Sequence, residues 1–188
     1  MRNALLSAIL VVLSAVPLKA LDWHVNPPNG HLYAAVHADT WDEGEAFAVS
    51  LGGHLVAISD AAENDWVLTN VLDPSGALFA WIGLYQLSES PEPADGWVWS
   101  SGEPVTYTNW NQHSDLGPEP NNAGGGENWA EMYCSYYATA GTWNDIDPYV
   151  KSESPHMAVI EVVPEPSSAL ALLCGVAGLK VAISRRRR

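Results

Sequence analysis

The order of apolar and polar positions predicts helices in the first half of the chain. After a strand over 32–37, Thr40 and Glu43 have the spacing of a capping box, in which each side chain satisfies a free backbone N–H at the start of a helix. Gly52 ends this first helix. The apolar residues that recur at helical spacing are Trp41, Phe47, Ala48 and Leu51.

A second helix is predicted to begin with the same signal. Asp60 and Glu63 repeat the capping spacing after a short strand over 54–58, and Pro74 and Gly76 close the helix. Its apolar side is predicted to contain Trp66, Val67 and Leu72.

The second half of the chain alternates short apolar runs with polar loops. Strands are predicted over 81–84, 97–99, 128–133 and 156–162, and a loop rich in Gly, Pro and Asn covers 111–126. Two helices followed by short strands indicate an α+β domain rather than a parallel sheet. Nine tryptophans in a chain of 188 residues are expected to form much of the core.

The amino-terminal residues 1–20 have the pattern of a signal peptide. Arg2 precedes an apolar run over 4–16, and the small residue Ala20 ends the segment. An apolar run this short is poorly suited to cross a bilayer, so cleavage is favoured over an uncleaved anchor.

The carboxyl-terminal residues 164–188 have a second pattern typical of sorting. Pro164-Glu165-Pro166 precedes an apolar run over 169–183, and four arginines end the chain. An apolar helix followed by arginines is typical of a membrane segment with a cytoplasmic end, although a 15-residue helix is about 22 Å long and short for a permanent span. The segment resembles the PEP-CTERM sorting signal of Gram-negative bacteria. The resemblance implies exosortase cleavage after a transient stay in the membrane, and a place in the cell envelope or on the extracellular surface.

The remaining residues 21–163 are strongly acidic. They contain 21 of the 22 acidic residues and, of the 8 Lys and Arg, only Lys151, which leaves a formal charge of −20. Such a surface repels nucleic acid and anionic lipid and favours cations. Of the two cysteines only Cys134 lies in this domain, so no internal disulfide forms, and we expect a buried, inert thiol.

Five residues of the loop-rich half carry oxygen ligands and form the predicted site. Calcium takes six to eight oxygen ligands in flexible geometry, and positions left open could be filled by vicinal sugar hydroxyls. A carboxylate accepts a hydrogen bond from such a hydroxyl, and an Asn amide donates one to it. A cis bond before Pro120 would turn its neighbours toward one point, and the sequence leaves the isomer open. The metal-binding and sugar-binding residues are predicted to be Glu119, Asn121, Glu127, Asn144 and Asp145.

These residues also carry a resemblance to a known family. Glu119-Pro120-Asn121, Glu127 and Trp143-Asn144-Asp145 resemble the calcium and sugar site of C-type lectins, and further matching segments extend from about Gly30 to Val162. The resemblance implies a C-type lectin-like fold with a long-loop calcium region. It also implies binding of carbohydrate, such as a glycan or exopolysaccharide. In that family Glu-Pro-Asn goes with mannose-, glucose- or fucose-type sugars and Gln-Pro-Asp with galactose.

The chain departs from the family pattern in its cysteines and in part of its acids. Four positions that form two disulfides in the family correspond to Ala48, Ile160, Trp129 and Pro148, and we expect apolar packing of Ala48 near Ile160 to replace one bridge. Asn122 and Asn128 stand where the family often has acids, so no complete second calcium site is expected.

Two other classes of function remain alternatives. Acid pairs such as Asp42/Glu43 or Glu89/Glu92 could suggest glycoside hydrolysis, but no motif supports them, and we predict that the chain is not an enzyme. A scaffold or adhesion module that binds no sugar, with calcium serving only to hold the loops, is the second alternative.

Overall fold

The computed structural model describes residues 21–87, 95–113, 117–123, 125–147, 149 and 156–164. The predicted signal peptide and nearly all of the predicted sorting signal lie outside these ranges. The described strands are β1 (His24–Val25), β2 (Leu32–His37), β3 (His54–Leu55), β4 (Phe79–Gln86), β5 (Trp97–Trp99), β6 (Trp129–Tyr133), β7 (Trp143–Ile146) and β8 (Met157–Val162). The helices are α1 (Trp41–Ser50), α2 (Ala61–Val67) and α3 (Asp73–Ser75), with a π-helical turn, Leu68–Leu72, between α2 and α3.

Both helix starts are capped as predicted, with one difference in the reciprocal bond. Thr40 and Asp60 accept hydrogen bonds from the Glu43 and Glu63 backbone N–H groups at 3.2 and 2.8 Å. The two glutamate carboxylates accept from the N–H of the residue that precedes each cap, Asp39 and Ser59. The caps therefore order the incoming chain as well as the first helical turn.

Helix α1 buries two of the four apolar residues that recur at helical spacing. Its buried residues are Trp41, Gly44 and Ala48, whereas Phe47 is 36% exposed. A Cβ on Gly44 would lie 2.8 Å from the Ala158 Cβ, so this glycine lets the helix approach β8 closely. That close approach turns the Gly44 side inward and leaves Phe47 at the surface.

The strands form one mixed sheet in the order β1-β2-β8-β4-β6-β7, with β3 on β8 and β5 on β4. Most neighbours are antiparallel, as predicted, but β8 pairs with β4 in parallel through Ala80–Met157 and Trp81–Ala158. The last strand, β8, therefore lies in the centre of the sheet. The apolar pattern along the chain does not reveal this pairing, because it joins residues that are far apart in the sequence. The α+β class is confirmed.

Strand lengths follow from pairing rather than from the apolar pattern alone. The predicted strand over 54–58 shortens to His54–Leu55, and the prediction over 81–84 extends to Phe79–Gln86. Strands β1 and β7 have no clear apolar alternation and were not predicted; each is placed by its neighbour, β2 or β6.

The core contains four of the nine tryptophans and the predicted replacement for a disulfide. Ala48 and Ile160 are fully buried in one apolar cluster, and Trp129 packs against it. Pro148 lies outside the described residues. Cys134 is buried, as expected, and burial raises the pKa of its thiol to about 12, which disfavours the reactive thiolate. Trp41, Trp81, Trp99 and Trp143 are buried, whereas Trp23 is 36% exposed.

Candidate functional site

The predicted oxygen ligands lie on one polar loop and on strand β7. Glu119, Asn121 and Glu127 belong to the segment between β5 and β6, and Asn144 and Asp145 belong to β7. Two backbone hydrogen bonds join this segment to β7, and a third closes the segment on itself. Asn111 donates to the Trp143 carbonyl, Trp143 donates to the Asn109 carbonyl, and Glu119 donates to the Asn111 carbonyl, all at 2.8 Å.

Asp145 joins the loop to β7 through its side chain. Its carboxylate is 2% exposed and accepts from the Asn121 backbone N–H at 2.9 Å and from the Asn122 N–H at 2.8 Å. Hydrogen bonds to an ionised carboxylate are about twice as strong as neutral ones. Asp145 therefore fixes the backbone of the residues that follow Pro120.

The Glu119-Pro120-Asn121 segment presents buried oxygen atoms. Glu119 is 5% exposed, and its bond to Pro120 is cis. The Asn121 Oδ1 atom is buried and accepts no hydrogen bond from the described residues. Because buried polar atoms nearly always have a partner, an amide oxygen in this state is suited to a cation or an ordered ligand.

Asn122 organises the next part of the loop. It has a left-handed backbone with φ of 49°, and its Oδ1 accepts from the Glu127 backbone N–H at 3.0 Å. This bond places the Glu127 backbone next to Asn122, whose own N–H is bound by Asp145. Asn128 follows, and its Oδ1 is a second buried amide oxygen that accepts no hydrogen bond within the described ranges.

The Asn144 side chain contacts the neighbouring strand rather than the loop. Its Nδ2 donates to Glu131 Oε1 on β6 at 3.2 Å. Glu131 and Asn144 are directly paired across β6 and β7, whereas Asp145 follows on the alternate side of the strand. The structure thus brings the Asp145 carboxylate to the Asn121 backbone and directs the Asn144 amide to Glu131.

The residues that sequence reasoning missed are Glu131 and His156. Glu131 Oε2 accepts from His156 Nε2 at 2.6 Å, and the two side chains are 3% and 5% exposed. The signal that could have revealed Glu131 is an acid in the middle of an apolar strand, between Ala130 and Met132. A buried carboxylate needs a specific partner, and the sequence does not show which one.

The charge around the site favours a cation. The described ranges contain no Lys or Arg, and the whole chain has a formal charge of −14. Burial first, and then the charges of Glu131 and Glu119, raise the pKa of Tyr133, because ionising this phenol would add a further negative charge.

The donor set fits calcium by chemistry, although its acids do not form a ready cluster. Among the described residues, no three His, Cys, Asp or Glu side chains lie together as a metal-binding group. The predicted set instead mixes carboxylate and amide oxygens, and only calcium or a similar hard cation prefers such ligands. The buried Asn121 Oδ1 provides a specific observation in favour of this fit.

Comparison with known proteins identifies the family. The model of the Lectin C-type domain matches residues 37–154, and the chain belongs to this family. A relative from Protobothrops flavoviridis, one of the chains of the snaclec coagulation factor IX-binding protein, is 33% identical over 113 residues, which cover 56% of this chain and 84% of that protein. The mouse low affinity immunoglobulin epsilon Fc receptor is 34% identical over 105 residues, but the match covers 56% of this chain and only 26% of the receptor.

Comparison with a solved structure confirms the predicted C-type lectin-like fold. The C-type carbohydrate-recognition domain of cow CD23, determined in the presence of GlcNAc2Man3 oligosaccharide, has a TM-score of 0.55 and 27% identity and covers 72% of this chain and 89% of that one. Neither the family nor the fold indicates an enzymatic activity. No helix within the described ranges is both long and apolar enough to cross a membrane.

Proposed function

We propose that residues 21–163 form a calcium-dependent carbohydrate-binding module with a preference for mannose-, glucose- or fucose-type sugars. The observation that carries this proposal is the loop after Pro120. Asp145 holds its backbone through two hydrogen bonds, and the Asn121 Oδ1 atom is buried with no hydrogen-bond donor among the described residues. A coordinating cation would satisfy this atom, and C-type lectin domains typically bind Ca²⁺.

The residues that would hold calcium are the five predicted from the sequence. Bound calcium would supply open coordination positions for two neighbouring sugar hydroxyls. The chain itself would add hydrogen bonds to the same hydroxyls, because a Glu119 or Glu127 carboxylate accepts a hydroxyl proton and the Asn121 amide donates to a hydroxyl oxygen. The full set is Glu119, Asn121, Glu127, Asn144 and Asp145.

The proposal includes export to the envelope or extracellular surface of a Gram-negative bacterium. It rests on the segments 1–20 and 164–188, read as a signal peptide and an exosortase-processed sorting signal with a transient membrane helix. Mass spectrometry of the protein recovered from the cell surface is expected to give a mature chain that begins near Leu21 and ends near Pro164. Retention of the terminal arginines would contradict this processing.

The direct test is a calorimetric titration in two stages. Calcium is added to the chelator-stripped protein, and mannose or galactose is then added to the calcium form. We expect saturable heat with calcium and with mannose, a weaker response to galactose, and no response to either sugar in chelator. A protein that takes up no calcium would overturn the proposal.

A single substitution separates sugar binding from folding. In Asn121→Asp the residue keeps an oxygen for calcium but loses the amide donor, so we expect about a tenfold weaker mannose affinity, as for one lost hydrogen bond to a ligand. The free energy of unfolding should change little. Asn70→Asp is the matched control, since it makes the same change in the π-helical turn away from the loop. Equal loss of folding and sugar binding in Asn121→Asp would contradict this division.

A scaffold or adhesion module without sugar binding is the second candidate. Two observations favour it: the Asn144 amide already donates to Glu131, and a family relative is named for binding a protein, coagulation factor IX. In this case the calorimetric titration would show calcium heat without any sugar heat. Retained binding to a protein partner in excess mannose would then place this candidate first.

A further inference from the structure

Glu131 connects the predicted site to the centre of the sheet. It lies on β6 directly opposite Asn144 on β7, and its carboxylate accepts the Asn144 Nδ2–H at 3.2 Å. The Glu131 side chain is 3% exposed. Because an ionised carboxylate has only acceptor atoms, the end of the Asn144 amide that faces it must be the NH₂ group.

The other Glu131 oxygen is held by a histidine that is itself fixed in place. His156 Nε2 donates to Glu131 Oε2 at 2.6 Å. The His156 ring stacks on Phe79 and Trp81 of β4, with ring centroids 5.3 and 4.7 Å away and interplanar angles of 20° and 18°. Two aromatic contacts and one hydrogen bond thus restrict the imidazole, which in turn restricts the Glu131 carboxylate.

We propose that Glu131 is a positioning residue for Asn144, an inference that rests on the proposed calcium site. By binding Nδ2, Glu131 turns the Asn144 Oδ1 away from β6 and keeps it as an oxygen ligand. The same bond occupies the Asn144 amide donor, so Asn144 serves the metal and not the sugar. Asn121 is then the amide that donates to a sugar hydroxyl.

The alternation of side chains along β7 explains why such a residue is needed. Asp145 is fixed by two backbone N–H groups, whereas Asn144 faces the opposite side of the strand, where β6 supplies its contact. If the amide were free to flip, the cation would have to fix its orientation on binding, which would lower the affinity. An acceptor-only partner removes that alternative without adding a ligand of its own.

The test is a double-mutant cycle on calcium affinity, measured by calorimetry on the full chain. Glu131→Gln keeps the shape but offers an NH₂ group, so the Asn144 amide loses its fixed orientation. We expect the calcium affinity to fall by about 10- to 100-fold, as for other residues that orient metal ligands. In an Asn144→Asp background both ends of residue 144 are oxygens, so Glu131→Gln should change the affinity by less than about threefold.

A calcium-free measurement gives an independent readout. The Asn144 side-chain amide is followed by nuclear magnetic resonance in chelator, with Asn144→Asp used to assign its signals. We expect two sharply resolved Nδ2 protons in the unsubstituted protein, one of them shifted by its bond to a carboxylate. In Glu131→Gln the pair should move toward the positions of exposed asparagines.

Glu161→Gln is the matched control, because Glu161 is another buried acid that binds a histidine, His31, at 2.6 Å. It should leave both the calcium affinity and the Asn144 signals unchanged. An equal loss from Glu131→Gln in both backgrounds would show a purely structural role and overturn the inference. A higher calcium affinity in Glu131→Gln would also overturn it, since Glu131 would then compete for Asn144. Absence of calcium binding by the unsubstituted protein would instead reject the proposed function.

Discussion

Residues 21–87 together with β8 form a first region, and residues 95–147 form a second region that is held in place by different interactions. In the first region the six residue pairs between β2 and β8 support helix α1, and Ala48, Leu55 and Ile160 lie in one buried apolar cluster. In the second region single polar side chains bind the backbone of distant loops. Asp145 binds the 121–122 backbone, and Asn109 Nδ2 donates to the Gly141 carbonyl at 2.8 Å.

The difference shows how each region depends on its residues. An apolar cluster loses free energy gradually as side chains are trimmed, and neighbours adjust. A loop held by one carboxylate cannot adjust in this way. When the acceptor is removed, the buried N–H group is left without a partner and the whole hydrogen bond is lost. We therefore expect substitutions in the first region to lower global stability and polar substitutions in the second to release the loop locally.

The largest effect is expected at Trp143, where the two regions meet. This residue is fully buried, its Nε1 donates to Asn64 Oδ1 near the middle of helix α2 at 2.9 Å, and its ring contacts Trp99, Tyr107 and Trp110. Trp143→Ala should lower the free energy of unfolding by about 3–5 kcal/mol. The measurement is denaturant unfolding in chelator. Trp23→Ala, at a 36% exposed tryptophan, should cost about 0.5 kcal/mol or less. Similar losses of unfolding free energy in both variants would contradict the idea that Trp143 joins the two regions.

A smaller and more local effect is expected at Asp145. Asp145→Asn replaces an acceptor of two backbone N–H groups by a side chain with one acceptor atom, which should cost about 1–3 kcal/mol. Hydrogen exchange should accelerate at the Asn121 and Asn122 amides and remain slow in β2 and β8. Asp147→Asn is the control, since Asp147 accepts a single bond from the exposed Tyr149 N–H. Equal acceleration of hydrogen exchange in both regions would contradict a local role for Asp145.

The smallest effect is a pH dependence in the first region. Burial raises the pKa of Glu161, against the hydrogen bonds from Ala57, His31 and Tyr33 that lower it. The folded state therefore binds this proton more tightly than the unfolded chain. Its contribution to stability is complete at low pH and is lost as the pH rises from the ordinary glutamate value through the folded pKa.

The check compares unfolding free energies of the unsubstituted protein and Glu161→Gln across that pH range. The glutamine has no proton to lose, so its stability relative to the unsubstituted protein should rise with pH. A constant difference would mean that Glu161 has the same pKa in both states.

Local signals in the sequence predicted the parts of the fold that depend on neighbours along the chain. Thr40 and Asp60 were sufficient to locate both helix starts, and the apolar run over 32–37 defined β2. Helical spacing groups Phe47 with Trp41 and Ala48, and the close contact of Gly44 with Ala158 decides which of these residues the helix buries. The parallel pairing of β8 with β4 escaped prediction for a similar reason, since it joins residues about 77 positions apart.

The composition of the candidate site was readable from the sequence, but its geometry was not. The types of its residues alone determine a set of oxygen ligands on a strongly acidic chain, because carboxylates and amides have fixed chemistry. Tertiary structure decided that Asp145 turns to the loop backbone and that Asn144 turns to Glu131. It also decided that the Asn121 oxygen is buried. These outcomes depend on contacts between residues that are far apart in the sequence. Such contacts form only when the chain folds, so the sequence pattern does not show them.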